Sequence, residues 1–216
     1  MYIPKDFRQE DRRLLHRFMR AFSFATLVTC RSGAPFATHL PVLLDADRGS
    51  LGVLLAHMAR ANPQWRDLAA GEEALVIFQG PHRYITPSWY TEHPSVPTWN
   101  YTVVHAYGRT SIIDDRTGVL ALLERLVATH EAAFAEPWIL DVSDEWTAGL
   151  TSGIVAFEIE LTRIEGKFKL NQNRSQADRE AVIRALLGSR EDADRQLGEF
   201  MANPDGCIAP PGVSIP

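Results

Sequence analysis

Between residues 24 and 79 the chain repeats one device, a run of strand-forming residues followed by a tight-turn signal. Residues 24–30 (FATLVTC) are strand-like, Arg31-Ser32-Gly33 is a turn, and residues 35–44 return as the second strand of a hairpin. Asp45-Ala46-Asp47-Arg48-Gly49 turns the chain again into a third strand, 50–57, and Gly71-Glu72-Glu73 precedes a fourth, 74–79. Short strands joined this way pair with their sequence neighbours, and a meander removes its open edges by curling into a barrel. Two later runs bring the expected count to six. Residues 101–113 are β-branched and aromatic, and residues 153–164 carry the alternating IVAFEIELTRI.

Helical patterns punctuate the strands. Residues 10–22 (EDRRLLHRFMRAF) place Leu14, Leu15, Phe18, Met19 and Phe22 on one face. Residues 60–69 read as a short helix, and residues 117–134 as a longer one stopped before Pro137. Residues 176–187 and 191–201 form a terminal pair around Gly188-Ser189-Arg190, and four prolines in 203–216 predict an extended tail. The expected class is α+β, an antiparallel barrel with peripheral helices. At 216 residues it is read as one barrel domain, 1–175, with the C-terminal helices and tail of 176–216 packed on it.

The formal charge of −5 excludes a protein that holds nucleic acid by bulk positive charge. With 45% apolar and 23% charged residues, bulk disorder is excluded as well. Cys30 and Cys207 are too few for a disulfide framework, and Cys30 is expected to be a small buried hydrophobe at a strand end. No zinc-ligand spacing occurs. No apolar run follows positive charge at the start, and the longest apolar stretch, 51–58, is far short of a membrane span. A cytoplasmic protein is expected.

Three segments are richer in special residues than a fold requires. AHMARANPQW (56–65) leaves a strand carrying His57, Arg60, Asn62 and Trp65. A basic pair and an amide at a strand end suit a phosphate, because charge-assisted hydrogen bonds are the strong ones; a solvated turn is the competing reading. GPHRYITPSWYTEHPSVPTWNY (80–101) is read as an aromatic loop stiffened by Pro81, Pro87, Pro94 and Pro97. Such a loop stacks on a planar ligand or packs in an interface. RIEGKFKLNQNR (163–174) is basic in an acidic protein. In extended conformation Lys167 and Lys169 share a face opposite Phe168, either to hold an anion or to protect an edge strand.

The nucleophile elbow, the Walker loop, the dinucleotide-binding glycine fingerprint and the H-E-x-x-H zinc motif are all absent. His39, His57 and His82 lie near the special segments. His16 and His130 read as structural or surface residues of helices, and His105 as a core or barrel histidine.

MYIPKDF, HMARANPQW, GPHRYITPSWY, VPTWNYTVVHAYG and GKFKLNQN, in this order, resemble the PaiB family, described as FMN-binding negative transcriptional regulators. The resemblance spans about Met1 to Leu187. It implies a six-stranded FMN-binding split barrel similar to pyridoxamine-phosphate oxidase, and a homodimer with FMN at its interface. It places the flavin ring against Thr38, His39, Leu40 and Pro41, and the phosphate near His57, Arg60 and Asn62, with Trp65 beside them. It offers Trp89, Thr98, Trp99 and Asn100 as residues covering the ring, and Lys167 and Lys169 as added charge.

Three functions are compatible with this reading. One is a regulator or redox sensor. A second is a flavin-dependent oxidoreductase or flavin reductase, with His39 or His82 as a candidate proton donor. The third is a binding module for flavin or haem, with His57 or His105 as the iron ligand. Direct DNA binding is disfavoured by charge. In the second helix of the terminal pair, Glu191, Asp192, Asp194 and Glu199 outnumber Arg195.

Overall fold

The computed structural model describes residues 1–31, 33–141, 149 and 151–203. The expected proline tail and Cys207 lie outside the described residues. Among the described residues eight strands occur, β1 (Arg8–Gln9), β2 (Phe24–Arg31), β3 (Ala34–Pro41), β4 (Leu43–Asp45), β5 (Val53–Ala59), β6 (Glu73–Ile85), β7 (Thr98–Ile113) and β8 (Ile154–Lys169). Their order in the sheet is β3-β2-β6-β7-β8-β5-β4, with β1 on β8. The helices are α1 (Arg12–Ala21), α2 (Trp65–Ala69), α3 (Arg116–Glu131), α4 (Gln176–Leu187) and α5 (Asp192–Ala202). The architecture is the expected α+β antiparallel sheet with peripheral helices.

The differences from the six-strand expectation have local causes. The second strand breaks after Val42, whose N–H makes the last bond of the hairpin ladder, to the Ser23 carbonyl at 2.9 Å. Residues 43–45 then pair with β5 instead. The third strand starts at Val53 because Gly49 (φ 65°) and Gly52 (φ 105°) prolong the turn with positive φ. The short helix begins only at Trp65, since Asn62 closes a turn on Ala59 and caps Gln64 with its side chain. β6 passes through Gly80 and Pro81 to Ile85, and β7 begins at Thr98, so the aromatic loop proper is 86–97. Cys30 is exposed. The buried positions of β2 are Ala25, Leu27 and Thr29, and alternation turns Cys30 outward.

The chain divides into two compact units. The first comprises Met1–Phe22, Phe78–His105 and the described residues from Glu165 onward. Its centre is aromatic. Phe18 on α1, Phe168 on β8 and Phe200 on α5 lie 5.2, 6.1 and 5.3 Å apart between centroids. Asp11 caps α1 by accepting from the N–H groups of Arg13 and Leu14. The α4–α5 pair buries Val182, Leu186, Leu197, Phe200 and Met201. The α5 Asp194 is itself buried and pairs with Arg83 at 2.7 Å. The inner face of this pair is therefore committed to packing.

The second unit comprises Ser23–Ile77 and Ala106–Ile164. Its core joins Leu43, Val53, Leu55 and Ala156 of the strands to Leu122 and Leu126 of α3. The Asp115 carboxylate accepts from Gly118 N–H at 2.7 Å and caps α3. Among the described residues no helix is long and apolar enough to cross a membrane.

Candidate functional site

The expected site residues fall into two groups, one in each unit, and each is built differently. In the second unit β3 ends the sheet order, and residues 34–37 and 39 are exposed on both faces. Thr38 and Pro41 are half-buried and Leu40 is buried. Across the hairpin, where Thr26 faces His39, the threonine Oγ1 and the imidazole Nδ1 are 2.9 Å apart.

β5 runs antiparallel to β8 until Ala59 faces Ile154. Arg60 continues that edge, its N–H reaching the Gly153 carbonyl at 2.8 Å. Its guanidinium donates from Nε to Ser152 O at 2.8 Å and from one terminal nitrogen to Ile154 O at 2.7 Å. A guanidinium has five donors, so it is oriented by two bonds with others to give. The Trp65 indole N–H donates back to the Arg60 carbonyl at 3.1 Å. Arg60 and Trp65 line one wall of a half-open cavity of about 350 Å³, with Ile112, Ile154, Val155 and Arg116.

Asn62 Nδ2 donates to Thr38 Oγ1 at 2.9 Å, so the loop after β5 is tied to β3. Its Oδ1 accepts from Gln64 N–H at 3.0 Å. Gln64 is 1% exposed, and its Nε2 donates to Phe36 O at 3.0 Å and Thr29 Oγ1 at 3.2 Å. Thr29 donates in turn to Asp67 at 2.9 Å. The structure thus joins Thr38 with Asn62 and Arg60 with Trp65. Gln64, Thr29 and Asp67, which hold these pairs, were not among the expected residues. His57 is half-buried, and burial pushes its pKa below the usual histidine range. Its Nδ1 is buried with no partner among the described residues.

In the first unit the Lys169 ammonium donates to Thr98 Oγ1 and to the Trp99 carbonyl, the latter at 3.0 Å. Burial, then the neighbouring Lys167, push the Lys169 pKa down. Lys167 is buried, donates to the Tyr2 carbonyl at 3.1 Å, and lies over the Tyr101 ring at 5.2 Å. Trp99 is 53% exposed. Asn100 is fully buried, its Nδ2 on Met201 Sδ at 3.5 Å and its Oδ1 without a partner among the described residues. Trp89 is half-buried in a 3-10 helix, Pro87–Trp89, that Thr86 caps.

The loop before β7 is held by a residue that sequence reasoning missed. Asp178 Oδ1 accepts from Thr91 N–H at 2.7 Å, Thr91 Oγ1 at 2.9 Å and Glu92 N–H at 3.1 Å. Arg174 adds a hydrogen bond to Ser95 at 3.3 Å and stacks on Tyr90.

The second unit's group offers oriented neutral and cationic hydrogen-bonding groups beside an open strand. These fit a ligand with an anionic end and hydroxyls. Among the described residues no cluster of His, Cys, Asp or Glu would hold a metal ion.

Residues 1–163 match the family described as "Putative FMN-binding domain". The chain is 37% identical over 202 residues to the Protease synthase and sporulation protein PAI 2 of Bacillus subtilis, covering 93% of this chain and 96% of that one. An uncharacterised protein of Emericella nidulans is 34% identical over 201 residues, 76% and 80% of the two chains. Among solved structures, the flavocytochrome Anf3 of Azotobacter vinelandii superposes with a TM-score of 0.56 at 12% identity, over 75% of this chain and 69% of that one. An FAD- and heme-binding protein of Mycobacterium smegmatis does so at 0.54 and 17%, over 75% and 73%. At such identities these two likenesses establish the fold alone, the split barrel. The sequence matches establish more: the chain belongs to the PaiB family of FMN-binding domains.

Proposed function

We propose that the protein binds FMN through the second unit's group and acts, as a homodimer, as a regulator or redox sensor. The observation that carries this reading is the Arg60 guanidinium, held by two backbone carbonyls at the end of β5 with donors left over. A phosphate monoester carries about −1.5 to −2 charge at neutral pH, and a pre-oriented guanidinium is its natural partner. Arg60 and Asn62 would hold the phosphate, and the neutral His57 would accept a ribityl hydroxyl. Thr38, His39, Leu40 and Pro41 would lie along the ring, and Trp65 would fix Arg60 from behind. FMN would supply hydride and electron transfer, and the protein binding and orientation. The open β3 strand supports a second copy of the chain as its cover.

His57 is neutral at pH 7 because its pKa is lowered, so it accepts hydrogen bonds and does not store a proton there. A flavin-dependent oxidoreductase is the second reading, favoured by the aromatic face of the first unit.

The test is FMN titration followed by flavin fluorescence. Hydrogen bonds to charged groups contribute about 1.5–3 kcal/mol, so Arg60→Ala should weaken FMN by about 10- to 100-fold. Wild-type affinity in a folded Arg60→Ala protein would remove the proposed phosphate site.

A further inference from the structure

We propose that the Thr38 hydroxyl is fixed as a hydrogen-bond donor to the flavin ring and so raises the redox potential of bound FMN, a role that rests on the FMN reading above. The polarity of one hydrogen-bond chain in the second unit requires the donor. A backbone N–H can only donate, so the Gln64 N–H, 3.0 Å from Asn62 Oδ1, fixes which end of the Asn62 amide is the oxygen. The other end, Nδ2, can only donate, and it lies 2.9 Å from Thr38 Oγ1. Thr38 Oγ1 therefore accepts, and its own proton is left to give. Among the described residues that proton has no acceptor. The far end of the chain is anchored in the same sense. The Asp67 carboxylate takes the Thr29 proton at 2.9 Å, so Thr29 Oγ1 accepts from Gln64 Nε2 at 3.2 Å and holds the buried Gln64 in place.

The two faces of β3 are not equivalent toward a ring. Thr38 faces Leu27 and Leu40 faces Ala25, so both lie on the side of β3 that continues into the core. His39 lies on the other side, where its Nδ1 is 2.9 Å from Thr26 Oγ1. A flat ring laid against β3 meets the side chains of one side. The Thr38 side is the one tied to Asn62, which is assigned to the phosphate, so Thr38 and not His39 hydrogen-bonds the ring. Thr38 is half-buried, which leaves it reachable and partly shields a bond made there from water. Reduction adds electron density to the oxygens and nitrogens of the ring. An O–H donor held there binds the reduced form more tightly than the oxidised one, because charge-assisted hydrogen bonds are the stronger kind. In a redox sensor this difference helps to set the potential at which it responds.

The experiment loads the full-length wild type, Thr38→Val and Thr38→Ser with FMN. It measures the midpoint potential of the bound flavin and the dissociation constants of its oxidised and reduced forms. Thr38→Val keeps the shape and loses the proton. It should lower the potential, weakening reduced FMN about 10- to 100-fold and oxidised FMN about two- to tenfold. Thr38→Ser, which keeps the hydroxyl, should hold the wild-type potential. Thr38→Val also leaves Asn62 Nδ2 without its acceptor, but a loosened phosphate contact weakens both forms alike and leaves the potential where it was. Thr38→Ala takes the place of Thr38→Val if the valine variant does not fold. An unchanged potential in the folded, FMN-loaded variant, or an equal loss for the two forms, would overturn the proposal and leave FMN binding standing. A larger fall in potential in His39→Ala than in Thr38→Val would also overturn it, by placing the ring on the other side of β3. A wild type that binds no FMN would remove the FMN reading and this role with it.

Discussion

The two groups of candidate residues solve opposite problems. In the second unit, hydrogen bonds run from Thr38 through Asn62 to Gln64, and from Gln64 to Thr29 and Asp67, before any ligand arrives. Arg60 is held in place by carbonyls. In the first unit, two lysines are partly desolvated among rings with no counter-charge among the described residues. The first arrangement is pre-organised, so a ligand finds its partners already oriented and loses little entropy in fixing them. The second holds two ammonium groups partly out of water, with burial first and the neighbouring Lys167 second lowering the Lys169 pKa. A site of the first kind is sensitive to the residues behind it. A site of the second kind is sensitive to ionic strength.

The comparison breaks most visibly in the cores. Phe18 is fully buried and touches the rings of Phe22, Phe168 and Phe200. Phe18→Ala should cost about 3–5 kcal/mol in urea unfolding, the usual cost of a buried Phe-to-Ala cavity. Gln64 is as deeply buried, but its role is polar. Gln64→Ala leaves the Phe36 carbonyl and Thr29 hydroxyl without their donor, which should cost about 1–3 kcal/mol. It should also loosen Asn62 and so lower FMN affinity, whereas Phe18→Ala should not change affinity in the fraction that stays folded. If Gln64→Ala destabilises without touching FMN affinity, pre-organisation through Asn62 is the wrong account of the second unit.

Period and turn chemistry made most of the fold legible in the chain. The helix at 176–187 has the expected bounds, and the strands at 24–30 and 101–113 differ from expectation by one residue and three. The misplacements are where composition misleads. Proline at 81 argued for a loop, yet β6 runs through it to Ile85. The site was legible as residue types, not as partners. Arg60, Asn62 and Trp65 stand out in HMARANPQW, but nothing there says that Arg60 binds carbonyls 92 and 94 residues away. Gln64 was invisible because glutamine is an ordinary surface residue, and its burial follows from a tertiary contact with β3. Asp178 was invisible for the same reason, since its partners Thr91 and Glu92 are 87 and 86 residues away.

Acid should separate the two units further. Burial raises the Asp178 pKa, but bonds from Thr91 and Glu92 and the charge of Arg174 outweigh it, so the folded value lies below 3.8. A carboxylate lowered on folding stabilises above its unfolded pKa, and that contribution disappears as pH falls through the folded one. Asp178→Asn should therefore lower the melting temperature at pH 7, with the gap to wild type closing below about pH 4, the unfolded carboxyl range. His57 acts at higher pH. Burial lowers its pKa from 6.5, so the folded state resists the proton that the unfolded state takes up. Its contribution is complete above pH 6.5 and shrinks as pH falls from there toward the folded value. His57→Gln, neutral at every pH, should flatten the melting-temperature profile just below pH 6.5 and leave the fall near pH 4 untouched. A profile that keeps its full slope below pH 6.5 in His57→Gln would mean that another group sets the acid response of the second unit.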